Sequence, residues 1–277
     1  MQTRTRFVKL LMTIVMGLFG IVMVLPFLWM LSTSFKPESE VFTYPIEWIP
    51  RTWHAVENYR EVLFGKYPFF LYYWNSIQVT VGTTCLSILV SSMAAYGFSK
   101  IPFRGNQALF FIVLASVMIP SQATLVPQFL LYRYIGLFDT FIGLILLNSF
   151  SVFGTFLLRQ FFLGINNEYL ESAKIDGAGH FTIFVRIGLP LLVPAIATYG
   201  ILRFIWTWND YQNPLIFMRS AHKMTLQVGL AQFSDLMGVH YSLLMAGSVV
   251  AILPLLIIFI IGQKQVIEGI QAGGLKG

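Results

Sequence analysis

The chain has 277 residues, of which 56% are hydrophobic and only 11% charged, against roughly 25% charged in an ordinary soluble domain. So few charges cannot cover a water-facing surface, which excludes a soluble globular protein. The formal charge of +6 and the isoelectric point near 9.4 are then a matter of how Lys and Arg lie about a membrane, not of nucleic-acid binding. A single cysteine, Cys85, leaves no partner for an internal disulfide, and its apolar surroundings read as those of a small buried hydrophobe.

A helix needs about 20 apolar residues to cross the hydrocarbon core, and six runs qualify: 10–31, 77–98, 108–131, 141–158, 189–207 and 243–262. The first follows a basic start, Arg4, Arg6 and Lys9. No small-residue cleavage site closes it, so it reads as an uncleaved span after a tail at 1–9. The second carries Thr80, Thr83, Thr84, Ser87, Ser91 and Ser92, and the third Pro120, Gln122, Pro127 and Gln128. Both are expected to pack against protein or line a cavity, because small and polar residues mark helix contacts and neighbours must satisfy a backbone freed by proline.

With the N-terminus inside, the inner segments hold ten Lys and Arg and the outer ones seven, four of these in one long acidic loop. Short segments decide orientation, so both termini are expected in the cytoplasm. Two long outer loops result, 32–76 and 208–242, together with an inner loop at 159–188 and a tail at 263–277. Loops of this length usually have a function or a fold of their own.

The inner loop is too polar to cross. Asn167 suits an N-cap, and Glu168 and Glu171 fall in the first turns of a helix, where carboxylates meet the positive end of its dipole. Asp176, Gly177 and Gly179 break that helix; residues 180–188 can form a second, and Pro190 is expected to open the next span. Glu171, Ser172, Ala173, Gly177, Ile187, Gly188, Leu189 and Pro190, at their spacing, resemble the EAA signature of binding-protein-dependent ABC importer permeases. Ser172 stands where that signature usually has another small residue, Ala. The string 173–178, Ala-Lys-Ile-Asp-Gly-Ala, is similar to the carbohydrate-uptake branch of the family. So are Ser34-Phe35-Lys36-Pro37, Asn75-Ser76, Trp208-Asn209-Asp210 and the ending Gly273-Gly274-Leu275-Lys276-Gly277.

In maltose-type importers this pattern belongs to the shorter of two permease subunits. The resemblance implies an all-α integral membrane protein of six transmembrane helices with a cytoplasmic helix-turn-helix coupling loop, in the inner membrane of a bacterium. It implies as partners a second permease, two ATPase chains, an extracytoplasmic solute-binding protein and a sugar. Glu171, Ser172, Ala173, Asp176, Gly177, Ile187, Leu189 and Pro190 would couple the permease to the ATPase, and Gly273, Gly274, Lys276 and Gly277 would reach between the ATPase chains. The motif makes mechanical sense: small residues on a short helix, Ser172 and Ala173, can approach a groove closely.

The chain has no Walker-type glycine loop, so ATP and Mg²⁺ are expected on the partner and no cofactor here. There is no HExxH, and His54, His180, His222 and His240 are scattered, which gives no metal site and no covalent catalysis. Arg203 is the one clear charge within a span, either a functional group or a hydrogen-bond partner of backbone or Asn. Asn148, Trp206, Asn209 and Asp210 could line a sugar path, with packing the simpler account of Asn148 and its neighbour Ser149. An ion-coupled secondary transporter is the rival, opposed by the lack of buried Asp, Glu and His chains.

Overall fold

The computed structural model describes the backbone of residues 2–66, 68–235 and 238–274, with side chains from 8 to 265 except at 67 and 235–237. Three helices are long and apolar enough to cross a membrane unbroken, Val8–Ser34, Phe69–Lys100 and Tyr241–Gln265. The other three expected spans are each two helices with a bend of 98°, 55° or 78°. In chain order the helices are α1 (Gln2–Ser34), α2 (Ala55–Phe64), α3 (Phe69–Lys100), α4 (Asn106–Ala115), α5 (Ser121–Tyr134), α6 (Phe141–Leu147) and α7 (Val152–Gly164). There follow α8 (Glu168–Ile175), α9 (His180–Ile183), α10 (Leu189–Leu191), α11 (Val193–Trp208), α12 (Gln212–Phe217), α13 (Leu226–Ala231) and α14 (Tyr241–Gly274). A π-turn at Phe184–Gly188 joins α9 to α10.

Each break has a local cause. Pro120 drives Ile119 into extended backbone (φ −79°, ψ 114°) between α4 and α5. Pro194, two residues after the bend at Leu192, has no N–H to give to the preceding turn, so the third break lies there and not at Pro190, which sits inside α10. Between α6 and α7 the helix stops at Asn148 and restarts because Ser151 Oγ accepts the Gly154 N–H at 3.0 Å. Segment limits move as well: α7 continues through 164, α3 starts at 69, and α14 continues unbroken through the start of the expected tail.

The chain divides into two compact units, Met1–Phe70 with Gly229–Leu253, and Leu71–Val228 with Pro254–Gly277. In the first, the segment after α1 folds on polar pegs. Lys36 is buried, donating to the Glu47 carbonyl with its ammonium 4.5 Å from the Trp29 ring centre. Asn58 Nδ2 donates to the Ser34 and Lys36 carbonyls at 2.9 and 2.8 Å. Glu38 accepts the Tyr241 and Ser242 N–H groups at 3.0 and 2.8 Å, an anion at the start of α14. A two-residue antiparallel pairing, Ser234 with Val239 and Asp235 with Gly238, precedes that helix.

In the second unit α3 buries Thr80, Thr83, Ser87 and Ser91 along one face, as its small residues predict. Cys85 instead lies exposed on another face. α5 fully buries no residue, and Gln122 and Pro127 are exposed, but the third span packs within this chain through Phe110 of α4, buried beside Phe98, and Phe129 of α5, beside Phe217. The core joins Ala95 and Tyr96 of α3, Leu158 and Phe162 of α7, Leu170 of α8, and Ala195 and Tyr199 of α11. Between α5 and α6 Asp139, in left-handed backbone (φ 57°), accepts the Arg219 and Ser220 N–H groups, the Ser220 hydroxyl and the Lys223 ammonium. Burial alone would raise its pKa, but those hydrogen bonds and the Lys223 charge hold it well below the ordinary carboxylate range. Asn75 Nδ2 donates to the His222 and Met224 carbonyls at 2.9 and 3.0 Å, and Ser76 Oγ accepts the Leu226 N–H at 2.7 Å.

Helices α7 and α11 meet at Gly154, where a Cβ would lie 2.3 Å from Tyr199, itself fully buried and hydrogen-bonded to Ser87 at 2.6 Å. We predict that Gly154→Ala destabilises the protein by about 1–3 kcal/mol, the range for overpacking, as measured by unfolding in mixed detergent. Gly17→Ala, where a Cβ meets nothing, should be neutral; equal behaviour of the two variants would refute the close contact.

Candidate functional site: an exposed helix between two spans

Helix α8 lies between two turns that the local sequence specifies. At its start Asn167 holds the N-cap position without a capping bond, because its Oδ1 accepts from Lys100 Nζ at 2.6 Å. The neighbouring Asn166 caps instead, its Oδ1 accepting the Glu168 N–H at 3.1 Å. Glu168 and Glu171 occupy the first turn as expected. At the end, Ala178 N–H bonds the Ala173 carbonyl and Gly177 N–H that of Lys174, at 2.9 and 3.0 Å. These are the two bonds of a Schellman stop, and Gly177 has the left-handed φ of +83° that it requires.

One face of α8 is fastened and the other is free. Leu170, 6% exposed, enters the core, with Ala173 and Ala178 packed against it. Glu171, Ser172, Asp176 and Gly177 are exposed. Ala173 was expected on the free surface; it is half-buried, because α8 turns its small face inward. Ile187 and Leu189 also pack on the core and Pro190 is exposed. Sequence reading overlooked Tyr169 and Ile175, 61% and 87% exposed, although large apolar residues on the side opposite Leu170 were a readable sign.

A second group of expected residues converges elsewhere. Asn148, Arg203, Trp206 and Asp210, joined by Thr207 and Asn213, line a cavity of about 220 Å³. Arg203 donates to the Asn148 carbonyl, Asn148 Nδ2 to Asp210 at 3.4 Å, and Asn213 Nδ2 to Asp210 at 2.8 Å. Arg203 thus satisfies a carbonyl that the α6–α7 break releases, which the apolar membrane core demands. Asn209 stands outside, donating to its own helix at Ile205, as Ser149 does at Leu146. Gly273 and Gly274 end α14, whereas Lys276 and Gly277 lie outside the described residues. Among the described residues no three His, Cys, Asp or Glu side chains gather to hold a metal.

Residues 87–270 match the family described as "Binding-protein-dependent transport system inner membrane component". The chain is 34% identical over 270 residues to the arabinooligosaccharides transport system permease protein AraQ of Bacillus subtilis, covering 97% of this chain and 96% of that protein. It is 30% identical over 267 residues to the diacetylchitobiose uptake system permease protein NgcG of Streptomyces coelicolor, covering 94% and 86%. Among solved structures it superposes on a chain of a bacterial ABC transporter involved in alginate import with a TM-score of 0.82 and 26% identity, over 94% of this chain and 96% of that one.

The Schellman stop carries a local test. We predict that Gly177→Ala, which forces a side chain into positive φ, costs about 1 kcal/mol and speeds hydrogen exchange at the amides of 177 and 178. Gly179→Ala, at φ −73° with open space around it, should leave exchange unchanged; the same acceleration in both would remove the special role of Gly177.

Proposed function

Because the chain belongs to the family of binding-protein-dependent transport system inner membrane components, we propose that α8 is the element through which this permease is driven by a separate ATPase chain. The protein is the membrane-spanning permease subunit of a carbohydrate ABC importer and is not an enzyme. The rival reading, an ion-coupled carrier, has no support in the relatives.

The observation that carries the proposal is the geometry of α8: Leu170 and the Gly177 stop fix it to the core, while Tyr169, Glu171, Ser172 and Ile175 are left uncovered. A rigid projection of this kind can pass on a domain movement without its own nucleotide site. Tyr169 and Ile175 supply the apolar contact and Glu171 a charge-assisted one; Asp176 and Gly177 set the exit of the helix, and Ile187, Leu189 and Pro190 tie it to the next span. The ATPase binds ATP and Mg²⁺, and the tail that includes Gly273 and Gly274 is a second contact with it. Both termini lie in the cytoplasm, and the loops around residues 36–66 and 217–240 face the solute-binding protein.

Substrate passes beside Asn148, Arg203, Trp206 and Asp210, with Asn209 at the margin. A cavity of about 220 Å³ is smaller than the roughly 300–1,000 Å³ of complete ligand sites, so a second permease supplies the opposite wall. A sugar meets here an indole, two amides and a carboxylate, which suit hydroxyl groups.

An uncovered Ile or Tyr that becomes buried contributes about 1.5–3 kcal/mol, so we predict that Ile175→Asp or Tyr169→Ala lowers ATPase co-purification roughly tenfold or more and abolishes uptake. Solute binding by the separate binding protein should be unchanged. Full recovery of ATPase with both variants would sink the coupling role. Orientation is a separate matter: in a Cys85→Ala background, we predict that Val56→Cys reacts with an impermeant maleimide from outside and that His180→Cys does not. The opposite labelling would invert the topology.

A further inference from the structure

The inner ends of α3 and α7, the start of α4 and one side of α8 enclose a cavity of about 630 Å³. Its lining contains three cations, Lys100, Arg159 and Lys174, and one carboxylate, Glu171. Among the described residues the ion pairs are Arg51 with Glu47 and Lys223 with Asp139, so none of the three cations has a carboxylate within 4.0 Å. Lys100 spends two of its three N–H groups on the Ile165 carbonyl and Asn167 Oδ1, at 2.8 and 2.6 Å, and keeps one. Arg159 donates through Nε to the Phe98 carbonyl at 3.3 Å, and its guanidinium lies 4.1 Å from the Phe110 ring centre. That stacking sets its plane and leaves the terminal N–H groups without a protein acceptor, the fork that suits phosphate oxygens.

We infer that this cavity binds the phosphate of an anionic phospholipid headgroup. Excess positive charge with spare donors calls for an anion, and the surroundings call for one with acyl chains. Phe103 and Leu163, both in the lining, are 41% and 47% exposed, and Phe111 and Ile112 continue an uncovered apolar strip along α4, 58% and 65% exposed. A basic pocket where spans end and apolar surface begins is where lipid phosphates lie. The inference rests on the proposed topology only for the leaflet, which is then the cytoplasmic one. A lipid seated here would brace α8 along the flank that carries Glu171 and Lys174, through Lys174 and the Lys100–Asn167 bond.

The test uses the purified full-length permease in detergent, with lipid adducts read by native mass spectrometry against dioleoyl phosphatidylglycerol and dioleoyl phosphatidylcholine. Phosphatidylglycerol should be retained at least about fivefold better, since each basic group near an anionic lipid contributes that factor. Arg159→Gln, and Gln107→Glu at an exposed position of the lining, should each reduce its retention by about fivefold and leave phosphatidylcholine unaffected. If Arg159→Gln fails to fold, Gln107→Glu carries the test alone. Equal retention of the two lipids, or of phosphatidylglycerol by wild type and a folded variant, overturns the site. So does displacement by millimolar inorganic phosphate, which would assign the cavity to a free anion, or by added ATPase chain, which would assign it to that partner. No transport is measured, so failure here leaves the coupling proposal standing, and loss of ATPase co-purification leaves the lipid site standing.

Discussion

A backbone amide or carbonyl left unpaired in hydrocarbon costs several kcal/mol, and that penalty governs how this chain may break its helices. Three of the six apolar runs bend by 55° or more, so each bend must dispose of its freed groups. At Ile119–Pro120 and Leu192–Pro194 proline removes a donor outright, so one fewer group needs a partner. At residues 148–151 there is no proline, and the repair comes from side chains: Ser151 takes the Gly154 amide and Arg203 reaches the Asn148 carbonyl. The charge that looked most anomalous in the sequence is thereby explained as backbone repair, and the same guanidinium lines the polar cavity.

The breaks also decide what can move as a unit. Helices α9 and α10 with their π-turn run without interruption to Leu192, and α11 leaves at 78°. The motif residues Ile187 and Leu189 therefore belong with α8 through a shared core around Leu170, Ile183 and Phe184. Under the proposed coupling role, a push on α8 would be carried into the spans through these packed side chains, because interiors are dense. At the other end of the same unit, Asp139, Asn75 and Ser76 bind the segment 219–226 through backbone groups. Asp139 is ionised well below neutral pH; a depressed folded-state pKa stabilises above the unfolded value and is lost only as pH falls through the folded one, so this clamp holds across the physiological range.

Several of these features were legible in the residues. The family strings that looked like mere signatures turn out to be pegs: Lys36 and the Ser34 carbonyl fasten the segment after α1, Asn75 and Ser76 the segment 222–226. Gly177 was readable because Asp-Gly after a short amphipathic run leaves few backbone options, and its φ of +83° follows. The bends were not readable, because apolar length reports only that a segment can lie in lipid and proline is tolerated in straight spans too. Cys85 and Ala173 were misplaced for a related reason. Burial depends on which face of a helix meets a neighbour: in α3 the Ser and Thr face is the buried one and Cys85 lies off it, whereas on α8 the large apolar Tyr169 and Ile175 face outward against the usual rule.

That reversal on α8 is itself informative. A helix of eight residues is too short to be stable alone, so its fastened face must supply the order, and Leu170 with two alanines is a small anchor. The stop at Gly177 and the cap at Asn166 add hydrogen bonds at both ends, where a short helix otherwise frays, and Lys100 ties Asn167 to α3. The large side chains are thus spared from holding the helix and remain available on its outer face. A fold that needed Tyr169 or Ile175 for its own core could not offer them to another chain; by holding α8 with a cap, a glycine stop and one leucine, this sequence keeps both side chains free for contact.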